Sequence, residues 1–132
     1  MREAVPWAEN VGGKVLLAVV DDDAAVRDSL RFLLEIEGFD VETYASGLQL
    51  LAAAELERFA CLLLDQQMPG LTGLELLARL RCLGVTTPAL LISAIPSASV
   101  IQRASELGAY GVLTKPLAQD ELLAQIAAAT GS

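Results

Sequence analysis

Short apolar runs alternate along the chain with longer segments in which apolar residues recur every three or four positions. The short runs, bounded by glycine, proline or acidic residues, are typical of strands buried on both faces. The longer segments are typical of helices that pack one face on a core. The pattern predicts five strands, at residues 15–20, 40–44, 60–64, 89–93 and 109–114. It predicts five helices between and after them, at residues 24–37, 46–56, 73–83, 97–107 and 118–129.

This alternation predicts an α/β fold, because strand–helix–strand units with right-handed crossovers build a parallel sheet covered on both faces. A doubly wound, flavodoxin-like sheet of five strands in the order 2-1-3-4-5, flanked by five helices, fits the number of elements. Residues 14–130 are expected to form one domain. Residues 1–13 show no periodicity and contain Pro6 and Gly12-Gly13, so they are expected to form a flexible N-terminal arm.

Composition and charge narrow the classes of function. The chain of 132 residues is 54% hydrophobic and 20% charged, which is typical of a globular domain with a sizeable core. Its net charge of −8 argues against binding to nucleic acid or to an anionic membrane. No apolar stretch is long enough to span a bilayer. The sequence has no histidine, and Cys61 and Cys82 lack metal-ligand spacing, so we interpret both as reduced thiols of a cytoplasmic protein.

Polar residues stand where four of the predicted strands end. They are Asp21-Asp22 after the first strand, Asp65 after the third, Ser93 at the end of the fourth and Lys115 after the fifth. Each alone is an ordinary cap or turn residue. Together they mark one edge of the sheet, the edge where open α/β proteins bind ligands. Since strands one and three are neighbours in the expected order, the three aspartates are predicted to converge.

Converging carboxylates need compensating positive charge. At an effective dielectric of about 20, two carboxylates ~4 Å apart repel by roughly 4 kcal/mol. A hard cation such as Mg²⁺ and the ammonium group of Lys115 are the simplest compensation. A metal, a lysine, the hydroxyl of Ser93 and a reactive carboxylate equip a site for phosphoryl transfer onto Asp65.

Four short motifs occur in one order along residues 14–129. They are the acid pair at 21–22, D-x-x-M-P-G at 65–70, Ser93-Ala94 and Lys115-Pro116. In this order and approximate spacing the chain resembles the response-regulator receiver domains of bacterial two-component signalling. The segments V-D-D-D-x-x-V-R and G-F-x-V-x-x-Y-x-S-G are most similar to the FixJ-like subgroup, whose members often carry a C-terminal helix-turn-helix and regulate transcription.

The resemblance implies that Asp65 is the phosphoacceptor and that the acids hold a metal ion. Asp22 is expected to bind Mg²⁺ directly, with Asp21 helping directly or through water. Asp65 and the backbone carbonyl of Gln67 complete the metal site, in which Mn²⁺ is expected to substitute. The family takes its phosphoryl group from a sensor histidine kinase or a phosphotransfer protein. It relays a signal by conformational change and does not turn over an external substrate, so we do not expect an enzyme in that sense.

The resemblance also assigns the phosphate-binding and switch positions. Ser93 is the switch hydroxyl, Lys115 the phosphate partner, and the small Ala94 leaves room for the phosphoryl group. The family's usual rotating aromatic residue, three positions before the lysine, is replaced here by Val112, and Pro96 stiffens the loop after Ser93. We therefore expect ordinary phosphoryl chemistry with a muted switch, and at most a modest phosphorylation-linked homodimer.

Three other classes of protein are alternatives. A pseudo-receiver would use the fold as a phosphorylation-independent interaction module; Val112 and Pro96 favour it, whereas the intact acids and lysine argue against it. A haloacid-dehalogenase-like phosphatase would have its nucleophile in a D-x-D motif, but residues 21–23 lack the Gly-Thr that follows it in that family. A flavodoxin-like flavin binder needs hydroxyls and glycines after the first strand, where this chain has three aspartates.

The first helix raises a separate question about its apolar residues. We predict that its core stripe consists of Val26, Leu30, Leu33 and Leu34. Phe32 is predicted to extend this core. Ile36 is left open between the core and an apolar docking patch for a kinase.

Overall fold

The computed structural model describes residues 14–131, so the expected arm at residues 1–13 lies outside the described residues. The described residues form five strands, β1 Leu16–Val20, β2 Asp40–Tyr44, β3 Cys61–Asp65, β4 Ala89–Ser93 and β5 Gly111–Thr114. They form five α-helices, α1 Ala24–Ile36, α2 Gly47–Leu51, α3 Gly73–Cys82, α4 Ala98–Glu106 and α5 Gln119–Thr130. One 3₁₀ turn at Leu56–Arg58 completes the set. None of these helices has the length and apolar character needed to cross a membrane.

The strands form one parallel sheet in the order β2-β1-β3-β4-β5, which confirms the predicted topology. The direction of winding reverses between β1 and β3, because the chain goes from β1 outward to β2 and then returns to β3. A crevice outside the carboxyl ends of these two strands is therefore the expected ligand site.

Two apolar cores lie on opposite faces of the sheet. All five residues of β3 are buried, as its uninterrupted apolar run predicts for a central parallel strand. Helices α1 and α5 cover one face with the buried residues Leu30, Leu34, Leu122 and Ile126. Helices α2, α3 and α4 cover the other with Leu50, Leu76, Leu77, Leu80 and Ala104. This double cover holds the carboxyl ends of β1 and β3 in fixed relative positions.

Side-chain caps fix where the helices begin. Asp23 Oδ1 accepts hydrogen bonds from the backbone amides of Ala25 at 2.9 Å and Val26 at 3.3 Å, so α1 starts directly after the acid pair. Ser46 caps α2 in the same way, and Ser97 caps α4. Helix α1 is thus anchored beside the crevice.

Helix α2 is shorter than predicted. The sequence predicts a helix over residues 46–56, but α2 ends at Leu51 and Glu55 adopts a left-handed φ of 56°. Arg58, in the following 3₁₀ turn, donates two hydrogen bonds to Glu42 on β2, at 2.7 and 2.8 Å. The left-handed backbone at Glu55 is incompatible with a helix through residue 56, and the contact of Arg58 with Glu42 joins the following turn to an edge strand.

The prediction for Phe32 is wrong. Its side chain is 69% exposed, and that of Ile36 is 64% exposed, so neither belongs to the core. Leu30 and Leu34 are buried on the opposite side of α1, because residues two positions apart in a helix point about 200° away from each other. The core stripe itself is confirmed, with Val26 and Leu33 partly buried against it.

Candidate functional site

Three carboxylates converge at the carboxyl edge of the sheet. Asp21 and Asp22 follow β1, Asp65 is the last residue of β3, and one carboxylate oxygen from each lies within 4.8 Å of the others. Asp21 and Asp65 are buried, with 4% and 3% exposure, whereas Asp22 is exposed. The structure therefore brings together the acids that the strand order predicted, and it leaves the cluster open to solvent on the Asp22 side.

Asp21 is held by both its backbone and its side chain. Its backbone amide donates to the Tyr44 carbonyl at 3.1 Å, and Arg27 donates to its carbonyl oxygen at 2.7 Å. Its Oδ1 accepts from the Asp23 amide at 2.9 Å. Burial raises the pKa of Asp21 above its ordinary value, and the charge of Asp65 adds to this, against the lowering by the Asp23 hydrogen bond and by Lys115. A negative charge at Asp21 is thus unfavourable without a nearby cation.

Lys115 supplies a positive charge to the cluster. Its Nζ lies 3.0 Å from Asp65 Oδ1 and 3.9 Å from Asp21 Oδ2. Burial acts to lower the pKa of Lys115, but the adjacent carboxylates, Asp65 first, outweigh burial and raise it. The backbone amide of Lys115 donates to the Ser93 carbonyl at 2.9 Å, which fixes the end of β5 against β4, and the Lys115–Pro116 peptide bond is cis. One ammonium group therefore faces three carboxylates.

The donor atoms of the cluster fit a metal ion. Asp65 Oδ1 is buried and, apart from its ion pair with Lys115, has no hydrogen-bond donor in good geometry among the described residues. A buried carboxylate oxygen that is paired with one ammonium group alone still carries a desolvation cost. Oxygen ligands from three carboxylates, with one open side, suit a hard divalent cation. The acidic cluster can therefore hold a metal ion through Asp21, Asp22 and Asp65.

Ser93 and Ala94 end β4 beside this cluster. The Ser93 side chain is fully buried, and Gln67 Nε2 donates to Ser93 Oγ at 3.1 Å. The Ala94 amide donates to Gln67 Oε1 at 3.3 Å. The sequence predicted only a role for the backbone carbonyl of Gln67, and it missed this bridge by the side chain. Nothing in the local pattern signals it, because its partners lie 26 and 27 residues further along the chain.

The loop after Asp65 is fixed by Gln66 and Gly73. The Gln66 amide donates to the Ile92 carbonyl at 2.8 Å, and Gln66 Oε1 accepts from the Leu74 amide at 2.8 Å. A Cβ atom at Gly73 would lie 2.7 Å from the Asp65 carbonyl oxygen and 2.7 Å from the Leu91 side chain. Glycine is therefore required for α3 to begin this close to the acid cluster.

Val112 is not adjacent to Ser93 in the sheet. It aligns with Leu91, whereas Ser93 aligns with Thr114. Val112 is partly buried against the core under α3 and α4, and Tyr110, two residues earlier, is 48% exposed. Among the described residues the strand thus presents a small side chain where the resemblance implies an aromatic one.

Comparisons with known proteins agree on one family. The chain matches the model of the response regulator receiver domain over residues 17–127. Transcriptional regulatory protein FixJ of Bradyrhizobium diazoefficiens is 40% identical over 111 residues, which cover 84% of this chain and 54% of that protein. Response regulator MprA of Mycobacterium bovis is 41% identical over 114 residues, which cover 86% and 50%. The chain spans about half the length of the curated relatives it matches.

Solved structures show the same fold. Chemotaxis protein CheY4 of Vibrio cholerae superposes with a TM-score of 0.82 at 30% identity, over 89% of this chain and 99% of that chain. Response regulator StyR superposes with a TM-score of 0.83 at 36% identity, over 90% of this chain and 60% of that chain. The structure of FixJ-N superposes with a TM-score of 0.80 at 28% identity, over 89% of this chain and 94% of that chain. Each likeness extends over about nine tenths of the chain.

Proposed function

This chain belongs to the response regulator receiver domain family, and we propose that within it Asp65 accepts a phosphoryl group from a phosphorylated histidine of a sensor kinase or phosphotransfer protein. The observation that carries this proposal is the environment of Asp65. Its Oδ1 is buried and, among the described residues, has no hydrogen-bond donor in good geometry apart from its ion pair with the Lys115 ammonium group at 3.0 Å. The site lies at an edge open to solvent through Asp22. The sequence has no histidine, so the donor histidine lies outside it.

The proposed reaction is an in-line displacement at phosphorus. An Asp65 carboxylate oxygen forms the new oxygen–phosphorus bond while the nitrogen–phosphorus bond of the donor breaks, and the electron pair of that bond returns to the imidazole. Lys115 neutralises charge on the transferred group from its position beside Asp65. The Ser93 hydroxyl and the small Ala94 accommodate the phosphoryl oxygens at the end of β4.

The acids contribute by holding a cation. Asp21, Asp22, Asp65 and the backbone carbonyl of Gln67 are the proposed ligands of Mg²⁺, with Mn²⁺ as a substitute. When bound, the cation supplies positive charge to the phosphoryl oxygens. Without a cation, burial first and the charges of Asp65 and Asp22 second keep the pKa of Asp21 above its ordinary value. This proposal assigns two roles to the same acids, metal binding and repulsion of one another.

The output of the reaction is proposed to be a change of shape rather than a released product. We assign residues 14–130 to the receiver and place the protein in the cytoplasm, as a signalling protein without turnover of an external substrate. One relative is named a transcriptional regulatory protein. By that likeness, transcriptional regulation through a further domain is the proposed output in a longer protein.

The test is phosphorylation in solution with acetyl phosphate and Mg²⁺, followed by intact mass and peptide mapping. We expect one acid-labile phosphoryl group on Asp65, and none on the variant Asp65→Asn. Asp120→Asn, an exposed acid in the first turn of α5, is the matched control and should label like the wild type. A phosphoryl group on Asp21, Asp22 or a serine would contradict the assignment of Asp65. An unlabelled wild type would favour a pseudo-receiver instead.

A further inference from the structure

The side chain of Gln67 joins the two groups at the end of β4 that the proposed reaction uses. Its Nε2 donates to Ser93 Oγ at 3.1 Å, and its Oε1 accepts from the Ala94 amide at 3.3 Å. One carboxamide group therefore ties the loop after β3 to both the hydroxyl and the first backbone amide beyond β4. Gln67 itself is exposed, whereas Ser93 is fully buried.

This bridge is not what holds the loop in place. Gln66, the preceding residue, binds the loop to β4 through the Ile92 carbonyl and to α3 through the Leu74 amide, both at 2.8 Å. The Gly73 amide adds a bond to the Gln66 carbonyl at 3.3 Å. Since these contacts use other atoms, loss of the Gln67 carboxamide is expected to leave the loop path intact.

The bridge also occupies two polar groups, the Ser93 hydroxyl oxygen and the Ala94 amide, at the place where the phosphoryl oxygens are proposed to be accommodated. An amide hydrogen that bonds to Gln67 Oε1 is not available to a phosphoryl oxygen, so Ala94 has to exchange one acceptor for another. Ser93 Oγ accepts from Gln67, which ties the hydroxyl oxygen to the loop after β3 and restrains its movement relative to that loop. The bond to Ser93 is near the long end of the usual range of about 2.7–3.2 Å and the bond from Ala94 lies just beyond it, so both are weak enough to break.

We propose that the Gln67 carboxamide is a latch, which holds Ser93 and Ala94 in their resting positions and is released when Asp65 carries a phosphoryl group. The proposal rests on the phosphoacceptor role proposed above. Gln67 is in this view a positioning residue, because it acts on the phosphoryl group through Ser93 and Ala94. Its presence favours the unphosphorylated shape.

The test compares the wild type with Gln67→Met, which keeps the length of the side chain and removes its donor and acceptor. Gln102→Met is the matched control, because it makes the same change at an exposed position on α4, where the side-chain amide donates one hydrogen bond within the described residues, to Glu106 at 3.4 Å. Two quantities are measured by nuclear magnetic resonance. The first is the exchange rate of the Ala94 amide hydrogen without ligand, and the second is the dissociation constant for beryllofluoride, a phosphoryl mimic, with Mg²⁺.

We expect the Ala94 amide to exchange at least about threefold faster in Gln67→Met, and beryllofluoride to bind about fivefold more tightly, the scale of one net hydrogen bond. Gln102→Met should match the wild type in both measurements. Unchanged or weaker beryllofluoride binding by Gln67→Met would overturn the latch, as would an unchanged Ala94 exchange rate. If no variant binds beryllofluoride, the phosphoacceptor role of Asp65 fails, and that result differs from equal binding by all three proteins, which removes the latch alone.

Discussion

At the carboxyl edge of the sheet three carboxylates crowd around one ammonium group, whereas at the amino edge one guanidinium group donates hydrogen bonds to four backbone carbonyls. Apart from Lys115, the carboxyl edge offers a buried oxygen of Asp65 no good donor within the part of the chain that the structure describes. At the amino edge Arg81 Nε bonds to Leu107 at 2.9 Å, and its two terminal nitrogens bond to Val85, Thr87 and Gly108 at 2.9, 2.9 and 3.2 Å.

The two edges of the sheet differ in how well their charged groups are paired, and this difference indicates different roles. Arg81 lies near the end of α3 and satisfies carbonyl oxygens of the loop before β4 and of the end of α4, so it joins three segments. Burial lowers the pKa of Arg81, but a guanidinium group remains charged, and four oxygen acceptors surround it. The acid cluster gains no comparable set of partners from the described residues. We infer that the amino edge stabilises the fold, and that the carboxyl edge gives up stability for ligand binding.

The largest expected effect is at the amino edge. Arg81→Met should lower the free energy of unfolding by about 3 kcal/mol, because it removes several charged hydrogen bonds and leaves carbonyl oxygens without donors. Urea denaturation measures this change. Arg79→Met, an exposed position on the same helix, is the control and should stay within about 0.5 kcal/mol of the wild type. A loss of less than about 1 kcal/mol in Arg81→Met would remove the contrast between the two edges.

At the carboxyl edge we expect substitutions to stabilise. Without metal, Asp22→Asn should raise the free energy of unfolding by about 1 kcal/mol by relieving repulsion within the cluster. Mg²⁺ at ten times its dissociation constant should stabilise the wild type by about 1.4 kcal/mol, and it should act much less on the variant. Thermal unfolding with and without millimolar Mg²⁺ measures both. Asp28→Asn, an exposed acid on α1, is the control. The idea of strain at this edge would be lost if Mg²⁺ left the melting curve unmoved and Asp22→Asn were no more stable.

The pH dependence of stability should have opposite signs at two carboxyl groups. Burial raises the pKa of Asp21, so its contribution to stability is fully present below the unfolded value of 3.8 and is lost as pH rises through the raised value. The hydrogen bonds from Arg58 lower the pKa of Glu42, so its contribution is present above 4.5 and is lost as pH falls through the lowered value.

Without metal, the free energy of unfolding of Asp21→Asn should therefore increase relative to that of the wild type as pH rises from 3.8 to about 7. Glu42→Gln should have a free energy of unfolding equal to that of the wild type in acid, where Glu42 is protonated, and a lower one as pH rises and Glu42 ionises. Urea denaturation at a series of pH values measures both differences. Parallel pH profiles for the two variants would show that the acid cluster is not strained in the way proposed.

The smallest expected effect concerns how far a change at the carboxyl edge spreads. With beryllofluoride and Mg²⁺, the wild type should show a smaller change in amide exchange over residues 93–118 than Val112→Tyr, because valine has few rotamers to change and fills little space. Ile101→Tyr adds an aromatic group to the exposed side of α4 and should behave like the wild type. A wild-type change as large as that of Val112→Tyr would mean that this receiver switches fully without the aromatic residue.

The sequence was sufficient to predict the sheet and the acid cluster, because both follow from local pattern. The apolar run of β3 ends at Asp65, and parallel strands bring their ends to one edge, so convergence with Asp21 and Asp22 required only the strand order. Alternation predicts the parallel sheet, and five strands fit the order 2-1-3-4-5, which is one of the two common doubly wound orders. Phe32 was assigned to the wrong side of α1 because a single apolar residue does not define a helix face.

Contacts between distant residues were beyond prediction. Arg58 in the turn after α2 binds Glu42, 16 residues away, and Arg81 reaches Gly108, 27 residues away. An arginine or glutamine in a helix or loop has many possible partners, and its choice depends on the packed positions of whole elements. The bridge from Gln67 to Ser93 is of the same kind. The sequence thus predicts that the acidic residues cluster at one edge of the sheet. It does not predict which long polar side chains form hydrogen bonds between distant elements.

The contacts of Arg81 also determine how α4 is able to move. Because Leu107 and Gly108 are tied to the end of α3, we infer that the far end of α4 is a pivot and that the helix acts as a lever whose free arm begins at Ala98, five residues after Ser93. Nine residues give an arm of about 14 Å, so a displacement of ~1 Å at its start turns the helix by about 4°. We therefore expect the surface around Ala98 to sweep the greatest distance, and the surface around Glu106 to stay nearly still.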